Sequence, residues 1–451
     1  MAAGVSRKRL LAVRDREYAA FERSHPKSLA LWRRASASMP SGVPMSWMRV
    51  FYDLPPVYAA EGKGSRFQDV DGNEYADFNI ADMSMFCGYA PDPIVEAVAR
   101  AVARGSQFML ATEDSCWVAE ELASRWSLPM WQFTLSASQA NVEAIRMARA
   151  ATGRDKVLLF DGKYHGHFDE GLVQLKDGRT EPEEPGLPRD VTNRTRIVQF
   201  NDADAVRRAL EPGDIALVLT EPALTNVVGL LQPEPGFHEQ LRELTRQADT
   251  LLAFDETHTQ VVGRGGLTKQ LGLDPDIVTM GKAIAGGIPM GAYGMTRSVA
   301  ELLSVDQSPG NGHPSVATGG TLFGNPVSMA ASRAALTHVL TEDAYTHTQR
   351  LGAQLASAIE GSLHSAGLPW VTHRLGPRTG TSFTPVAPRN ALEAAAGADP
   401  LLTHTAWAYL ANRGVWEALI GAGPTCSVPA TSADVGRYAE AFDSFVHEIR
   451  E

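Results

Sequence analysis

Short apolar runs recur through the middle of the chain, each followed by a polar or glycine-containing turn and a stretch with helical periodicity. Because both faces of these runs are apolar, they are predicted to be buried strands of an α/β sheet. The predicted strands are WQFTL (131–135), KVLLF (156–160), IALVLT (215–220), TLLAF (250–254) and DIVTM (276–280). Ligands of such sheets bind beyond the carboxyl ends of the strands, so the residues that follow these runs are candidate site residues.

The N-terminal part of the chain follows a different pattern. Residues 8–36 have the periodicity of a helix on a polar background, and the Pro and Gly residues of 38–47 predict a loop. Two alternating runs flank an Asp-Gly pair within residues 66–78, which predicts a β-hairpin. Residues 170–195 are rich in Pro, Glu and Asp and give no firm prediction.

Composition narrows the class of protein. The 451 residues suffice for two or three domains and a cleft. The net charge of −11, without a basic run interleaved with aromatic residues, argues against nucleic-acid binding. Cys87, Cys116 and Cys426 form no CxxC pattern, which argues against a disulfide framework or zinc knuckle. With no long apolar run, we expect a cytoplasmic protein that neither spans a membrane nor is exported.

Small residues follow the first predicted strand. Ser136, Ala137 and Ser138 precede a predicted helix, and either serine can be its N-cap. A helix N-terminus with small side chains and free N–H groups also binds phosphate. Plain capping is the simpler interpretation when this segment is considered alone.

Tyr164, His165 and His167 follow the second predicted strand. His165, His167 and Asp169 carry groups that bind metals, but the chain offers no second cluster of comparable quality, so we expect no metal site. Two interpretations of Tyr164 stay open: it covers the face of a flat ligand, or it only packs.

Charged residues follow the last two predicted strands. Asp255 and Glu256 come directly after TLLAF, where two buried acids are costly without partners, so a solvated turn is the simpler interpretation. Lys282 follows Gly281 and has apolar and glycine neighbours in sequence. Burial disfavours the charged form of lysine, and a lysine with a lowered pKa can form a Schiff base.

Together these groups meet the requirements for binding pyridoxal 5′-phosphate. A phosphate-binding helix terminus, an aromatic side chain, an aspartate and a lysine come in this order at the ends of predicted strands. Asp255 would keep the pyridine nitrogen protonated, and Lys282 would form the Schiff base and later move a proton.

The chain resembles the class III aminotransferases of fold type I, and within them the glutamate-1-semialdehyde aminomutase group. The strongest matches are EGKGSRFQDVDGNEYADF, ATGRDKVLLFDGKYHGH, FDETHT, LGLDPDIVTMGKAIAGGIPMGAYG and GTLFGNPVSMAA. The resemblance implies an α/β fold with a large, mostly parallel seven-stranded sheet domain at residues 80–335. Residues 1–79 and 336–451 would form a small α+β domain.

The resemblance also implies contacts with the cofactor. Lys282 would bind it covalently, Asp255 would pair with its ring nitrogen, and Tyr164 and Thr257 would cover opposite faces of the ring. Asn226 would approach the ring hydroxyl. The phosphate would be held by Ser136, Ala137 and Ser138.

Three further residues have implied roles in assembly and substrate binding. Thr321 would reach the phosphate of the neighbouring subunit's cofactor, which implies a homodimer with active sites at the subunit interface. Arg49 would bind the substrate carboxylate, and Trp47 would face the substrate. Other residues in segments expected to face the substrate are Met83, Met85, Phe86 and Tyr89. They indicate a bulky or apolar donor, or they only pack in the core.

The sequence departs from the family pattern mainly where substrates bind. Leu135–Ala140 replaces Asn-Ser-Gly-Thr/Ser-Glu-Ala, and Thr257, His258, Thr259 and Gln260 replace Val-Met-Thr-Gly. Gly88-Tyr89 replaces Gly-His, and Gly421 replaces a glutamate that faces the carboxylate-binding arginine in the aminomutase. The substrate end of the pocket therefore differs from that of the aminomutase.

These departures favour amino transfer between an amine or amino acid donor and a keto acid or aldehyde acceptor. The alternative is an aminomutase, which returns the amino group to the same molecule. A decarboxylase or racemase would use the same lysine and aspartate. A cofactor-dependent regulatory protein is disfavoured, because the segment before residue 41 is too short and too mixed in charge for a DNA-binding domain.

Overall fold

The computed structural model describes residues 2–304, 316–417 and 421–451. These residues divide into two compact units. The smaller unit comprises Met1–Pro91, Thr346–Pro388 and Glu393–Glu451, and the larger comprises Asp92–Tyr345 and Arg389–Leu392. The sequence places the two domain boundaries somewhat earlier, after residues 79 and 335.

The described residues form strands and helices throughout both units. The strands are β1 (Ala59–Lys63), β2 (Arg66–Asp69), β3 (Glu74–Asp77), β4 (Met130–Thr134), β5 (Lys156–Phe160), β6 (Val173–Lys176), β7 (Arg179–Pro182), β8 (Thr195–Val198), β9 (Ile215–Thr220), β10 (Leu251–Asp255), β11 (Ile277–Met280), β12 (Gly291–Met295), β13 (Val371–Leu375), β14 (Arg378–Ser382) and β15 (Val415–Trp416). The helices are α1 (Arg7–Ser24), α2 (Pro26–Ala35), α3 (Trp47–Val50), α4 (Asp92–Arg104), α5 (Glu113–Trp126), α6 (Ala137–Thr152), α7 (Val191–Arg194), α8 (Ala203–Leu210), α9 (Phe237–Gln247), α10 (Gly266–Gln270), α11 (Arg297–Ala300), α12 (Pro326–Ala334), α13 (Glu342–Ala366), α14 (Ala391–Ala396), α15 (Pro400–Ala411) and α16 (Ser432–Ile449).

A seven-stranded sheet forms the centre of the larger unit, with the order β4-β12-β11-β10-β9-β5-β8. Its neighbouring strands are parallel except at β12, which is antiparallel to both β11 and β4. The five predicted strands are β4, β5, β9, β10 and β11, each within one residue of its predicted bounds. This mostly parallel α/β sheet confirms the fold class expected from the sequence, that of fold type I pyridoxal-phosphate enzymes.

Two strands of the seven-stranded sheet, β8 and β12, were not predicted from the apolar pattern. Their sequences lack a continuous apolar run for physical reasons. β8 is an edge strand and alternates between buried and partly exposed residues. β12 carries two glycines at points of close approach. A Cβ on Gly291 would lie 2.2 Å from the carbonyl oxygen of Ser136, and one on Gly294 would lie 2.5 Å from the ring of Trp131. Glycine weakens strand patterns, but here only glycine fits.

Helix α6 packs closely on this sheet. Its buried face carries small side chains at helical spacing, including Ala140, Ala144 and Ala148, and these belong to one core cluster with residues of the central strands. Small side chains let the helix axis approach the sheet. The N-terminus of α6 is thereby held near the carboxyl ends of the strands.

The smaller unit combines a four-stranded sheet, ordered β1-β2-β3-β15, with helices. The predicted hairpin is present as the antiparallel pair of β2 and β3. The helix predicted at residues 8–36 is instead two helices, because Pro26 begins α2 and cannot continue the hydrogen bonding of α1. The core of this unit packs α1, α13, α15 and α16 around buried side chains such as Leu10, Tyr438 and Phe445.

Within residues 170–195, β6 and β7 pair as an antiparallel hairpin. Among the residues described, no helix is both long enough and apolar enough to cross a membrane.

Candidate active site

The N-terminus of α6 is the first part of the candidate site. The side chain of Ser136 accepts a hydrogen bond from the backbone N–H of Gln139 at 3.3 Å, so Ser136 is the N-cap, as one of the two alternatives predicted. The N–H groups of Ala137 and Ser138 lie in the first turn, where a helix offers them no partner. This end of α6 therefore presents backbone N–H groups together with the positive end of the helix dipole.

Two glycines bring other backbone segments against this helix terminus. A Cβ on Gly281 would lie 3.0 Å from the backbone nitrogen of Ala137. A Cβ on Gly166 would lie 2.0 Å from the Oγ of Ser138, and the φ of Gly166 is +112°, which favours glycine. The segments before Lys282 and after Tyr164 thus reach the helix terminus because they lack side chains there.

Asp255 ends β10 and is almost completely buried, with 2% of its surface exposed. Its Oδ2 accepts a hydrogen bond from Asn141 and lies 2.9 Å from the Nδ1 of His165, while its Oδ1 accepts from the backbone N–H of Thr257. Burial acts to raise the pKa of this carboxyl, but the hydrogen bond and charge of His165 and the hydrogen bond from Asn141 outweigh it. The pKa is therefore lowered, and Asp255 is a carboxylate at neutral pH.

Asn141 holds several parts of the site together. Its amide nitrogen also donates to the backbone oxygen of His165 at 2.7 Å, and its Oδ1 accepts from the hydroxyl of Thr279 at 2.5 Å. The side chain thus links α6 to β10, to β11 and to the loop after β5. Neither Asn141 nor the contact of His165 with Asp255 was predicted. In the sequence, Asn141 could have been noticed as a single amide among the alanines of the buried face of α6.

Glu256 is also buried, so the interpretation of Asp255 and Glu256 as solvated turn residues is wrong. Its carboxylate accepts hydrogen bonds from the hydroxyl of Thr259 and from the backbone N–H groups of Leu267 and Thr268. Burial nevertheless raises the pKa of Glu256. Its partners all belong to the turn and helix that follow β10, so it stabilises this segment.

Lys282 lies directly after β11 and Gly281, at the start of a short 3₁₀ turn. Its φ of +53° is in the left-handed region, which is uncommon for a residue other than glycine and costs conformational energy. The side chain is half-buried, less than its apolar sequence neighbours suggested. Its Nζ lies 2.6 Å from the Nε2 of His258, which is in turn 3.4 Å from the amide nitrogen of Asn226.

Three other predicted cofactor contacts lie in the larger unit. Tyr164 follows β5 and is half-buried. Thr257 is buried, and its hydroxyl has no hydrogen-bond partner within the described ranges of the chain. Thr321 is exposed, and its backbone oxygen accepts a hydrogen bond from the side chain of Gln107.

The two predicted substrate residues, Trp47 and Arg49, lie in helix α3 of the smaller unit. The guanidinium of Arg49 lies 5.8 Å from the ring centre of Trp32 and donates to the backbone oxygen of Tyr52. The ring of Trp47 lies 5.6 Å from that of Phe51. Both side chains are half-buried.

The residues of the metal alternative do not converge. His165 contacts Asp255, whereas His167 is exposed and lies 3.6 Å from Glu184. In the part of the chain that the structure describes, no group of three or more His, Cys, Asp or Glu side chains is arranged to hold a metal ion.

The groups that do converge match the polar parts of pyridoxal 5′-phosphate. Free backbone N–H groups at a helix terminus suit its phosphate, and a buried carboxylate suits its protonated ring nitrogen. The hydroxyl of Thr257 is a buried polar atom without a protein partner, as is expected of a side chain that contacts a ligand.

Comparison with known proteins agrees with this fit. The sequence matches the family described as aminotransferase class-III over residues 48–420. It is 37% identical over 377 residues to a glutamate-1-semialdehyde 2,1-aminomutase 2 of Halalkalibacterium halodurans, covering 82% of this chain and 86% of that protein.

Two solved structures extend the comparison. One is a glutamate-1-semialdehyde-aminomutase variant from Pseudomonas aeruginosa PAO1 in complex with PMP, with a TM-score of 0.92, 37% identity, and coverage of 99% and 100%. The other is an omega-transaminase from Sphaerobacter thermophilus, with a TM-score of 0.86, 31% identity, and coverage of 93% and 97%. The chain therefore belongs to the class III aminotransferases, which are pyridoxal-phosphate-dependent enzymes that act on small molecules.

Proposed function

We propose that this enzyme transfers an amino group from an amine or amino acid donor to a separate keto acid or aldehyde acceptor, with its cofactor bound to Lys282. The observation that carries the cofactor chemistry is the buried, ionised Asp255 at the end of β10, in the same unit as Lys282 after β11 and the N-terminus of α6. Transfer to a separate acceptor is favoured by the departures from the aminomutase pattern at residues 257–260 and at Gly421. When bound, pyridoxal phosphate supplies an aldehyde that takes up the amino group and a ring that withdraws electrons from the substrate carbon.

Different groups of the protein would hold the phosphate and the ring nitrogen of the cofactor. The N–H groups of Ala137 and Ser138, helped by the cap at Ser136, would bind the phosphate. Asp255 would accept a hydrogen bond from the ring nitrogen and keep it protonated, because its own pKa is low. An ionised partner at this position favours the positive charge on the ring.

The remaining contacts would fix the plane of the ring. Tyr164 and Thr257 would cover its two faces, and Asn226 would approach the ring hydroxyl. Support for Thr257 comes from its buried hydroxyl without a protein partner, and support for Asn226 from its contact with His258, which also contacts Lys282.

Lys282 would move the proton during transfer. Once its Nζ is a free amine, it can take a proton from the substrate carbon and return it to another position. The left-handed backbone at Lys282 supports this assignment, since strained conformations persist where function requires a particular direction of the side chain.

Arg49 would bind the carboxylate of an acidic or amino acid substrate, with Trp47 near it. Arginine suits this role because its planar guanidinium can bind a carboxylate through two hydrogen bonds. Met83 and Phe86, which were expected either to face the substrate or to pack in the core, are fully buried in the smaller unit. Their burial supports the packing interpretation and removes them from the argument for a bulky donor.

The assembly that we propose is a homodimer with active sites at the subunit interface. The larger unit exposes apolar side chains on two segments, which are joined by the hydrogen bond from the side chain of Gln107 to the backbone oxygen of Thr321. These side chains, which we call the apolar patch, are Phe108, Met109, Leu110 and Leu322. Large exposed apolar clusters mark interaction surfaces, and a second copy of this chain would cover the patch and bring Thr321 to its site.

A cytoplasmic location is also proposed. Cys87, Cys116 and Cys426 are reduced thiols, and burial raises the pKa of both Cys87 and Cys426 to about 12. Cys116 is exposed, and an exposed thiol is most stable in a reducing compartment.

An aminomutase is the second candidate, because the relative from H. halodurans and the P. aeruginosa structure both carry that name. The two functions differ in whether a keto product leaves the enzyme. The purified enzyme should therefore be incubated with single donors, comprising α-amino acids, β-amino acids, simple amines and a vicinal amino-aldehyde, without an acceptor.

Intermolecular transfer predicts one equivalent of keto product per active site and conversion of the cofactor to its amine form, with further turnover only when an acceptor is added. If the vicinal amino-aldehyde is isomerised catalytically and no donor releases a keto product, the enzyme is an aminomutase and our proposal is wrong.

A further inference from the structure

His258 is a buried residue of the site to which the family resemblance assigns no role. It is 4% exposed, and its Nε2 lies 2.6 Å from the Nζ of Lys282 and 3.4 Å from the amide nitrogen of Asn226. The family pattern has methionine at this position. Histidine here changes the hydrogen bonding available to the lysine.

Imidazole differs from a thioether in a way that matters for a lysine that changes its protonation state. A charged lysine has only donors, and a neutral imidazole nitrogen can accept from it. A neutral amine has a lone pair, to which the other tautomer of imidazole can donate. Methionine sulfur is only a weak acceptor. His258 can thus bond to Lys282 in both states, whereas methionine can do so in neither state with comparable strength.

Hydrogen bonds from one side chain link the backbone segments that carry His258 and Lys282. The side-chain amide of Gln260 donates to the backbone oxygens of Thr257 and Gly281, at 2.9 and 2.8 Å. Thr257 immediately precedes His258 in the chain, and Gly281 immediately precedes Lys282. Gln260 also departs from the family pattern, in which this position is glycine. Gln260 therefore joins the backbone segments that carry His258 and Lys282, which supports the short distance between the Nε2 of His258 and the Nζ of Lys282.

We infer that His258 is a positioning residue that holds the Nζ of Lys282 in one direction whenever that nitrogen is a free amine. This inference rests on the proposed function, because it assumes that Lys282 binds the cofactor and moves the proton. A lysine side chain has four carbons and high rotamer freedom. Restricting it raises the fraction of time that the amine spends in a reactive orientation.

The test compares two substitutions at this position in the full-length enzyme. His258→Met restores the family residue and removes the hydrogen bond, and His258→Gln keeps a donor and an acceptor. His238→Met is the matched control: His238 is also buried in the larger unit, but its Nε2 lies 2.7 Å from the backbone oxygen of Pro222 rather than near Lys282.

Two rates are measured for each variant. The first is uptake of pyridoxal phosphate by the apoenzyme, followed by its visible absorption, which requires no substrate. The second is the single-turnover reaction with an amino donor. We expect His258→Met to slow both by about tenfold, the loss of roughly one hydrogen bond, while the KM of the donor stays within about twofold. His258→Gln should recover part of each rate.

The outcomes separate this inference from the proposed function. Wild-type rates in His258→Met, or equal losses in His238→Met, would overturn the positioning role. So would a donor KM that rises as much as the rates fall. If instead the wild-type protein takes up no cofactor, or if Lys282→Ala keeps full turnover, the proposed function itself is wrong, irrespective of His258.

Discussion

At the scale of single residues, the charge of Asp255 is decisive for the cofactor. Its low pKa depends on three hydrogen-bond donors in a buried setting, and each donor comes from a different segment of the larger unit. This carboxylate and Lys282 were predicted from the sequence because they follow apolar strands. Asn141 and the contact of His165 with Asp255 were not predicted, because they depend on segments that are distant in sequence.

Replacing Asp255 by asparagine tests its charge while keeping its shape. An amide oxygen can still accept from Thr257, but it cannot hold a protonated ring nitrogen by charge. We expect kcat/KM to fall by about a hundredfold or more, comparable to the loss of other preorganised electrostatic contacts. Steady-state kinetics measure this effect. The melting temperature serves as the control for folding, and near-normal kcat/KM in a cofactor-loaded variant would contradict the assignment.

The raised pKa of a second residue, Asp77, lets us predict how the stability of the folded state depends on pH. It is buried in the smaller unit, and burial raises its pKa to about 6 despite hydrogen bonds from Tyr89 and from the N–H groups of Ile80 and Asn79. Since the folded state holds the proton more tightly than the unfolded state, ionisation of Asp77 weakens folding as the pH rises from about 4 to about 6.

The substitution Asp77→Asn removes this ionisation. The variant should gain stability relative to wild type through that pH range, by roughly 3 kcal/mol at pH values well above 6, with little difference near pH 4. Melting temperatures between pH 4 and 8 measure the trend. Asp15→Asn, at an exposed position, is the control. A constant difference across the pH range would show that Asp77 does not titrate as described.

At the scale of elements, most of the large sheet could be predicted and its exceptions are informative. Five strands have continuous apolar runs because helices cover both faces of the sheet. β12 lacks such a run because Gly291 and Gly294 lie against Ser136 and Trp131. The break between α1 and α2 could have been predicted from Pro26, which the helical periodicity of residues 8–36 masked.

The N-terminus of α6 gives a prediction about cofactor affinity. In Gly166→Ala the new Cβ would lie 2.0 Å from the Oγ of Ser138, so the helix terminus or the loop after β5 must shift. We expect the dissociation constant of pyridoxal phosphate to rise by about tenfold or more, because positioned N–H groups depend on close geometry. Equilibrium titration of the apoenzyme measures it.

Gly153→Ala is the matched control, since Gly153 ends the same helix with φ +66° and a Cβ there meets no atom within 4 Å. It should destabilise the fold by about 1 kcal/mol, because alanine is strained at positive φ, without changing cofactor affinity. An equal loss of cofactor affinity in both variants would contradict the assignment of the phosphate-binding site to the N-terminus of α6.

At the scale of the whole molecule, the apolar patch predicts the oligomeric state. Leu110 is 73% exposed, and burying the patch in a dimer would remove it from water. Leu110→Asp should therefore shift the enzyme from dimer to monomer and lower its activity in parallel. Light scattering coupled to size-exclusion chromatography measures the mass.

Val386→Asp provides the comparison, because Val386 is 72% exposed in the smaller unit, away in sequence from the patch residues. It should leave mass and activity unchanged. A monomeric wild-type enzyme with full activity would contradict both the proposed dimer and the role of Thr321.

The most direct test of the central claim, that Lys282 carries the cofactor, is chemical mapping. The purified enzyme is loaded with pyridoxal phosphate, reduced with borohydride, digested and analysed by mass spectrometry. We predict that the phosphopyridoxyl group lies on the peptide containing Lys282, and that Lys282→Ala loses this label and all turnover. A label on another lysine, or no label with visible absorption intact, would contradict the account.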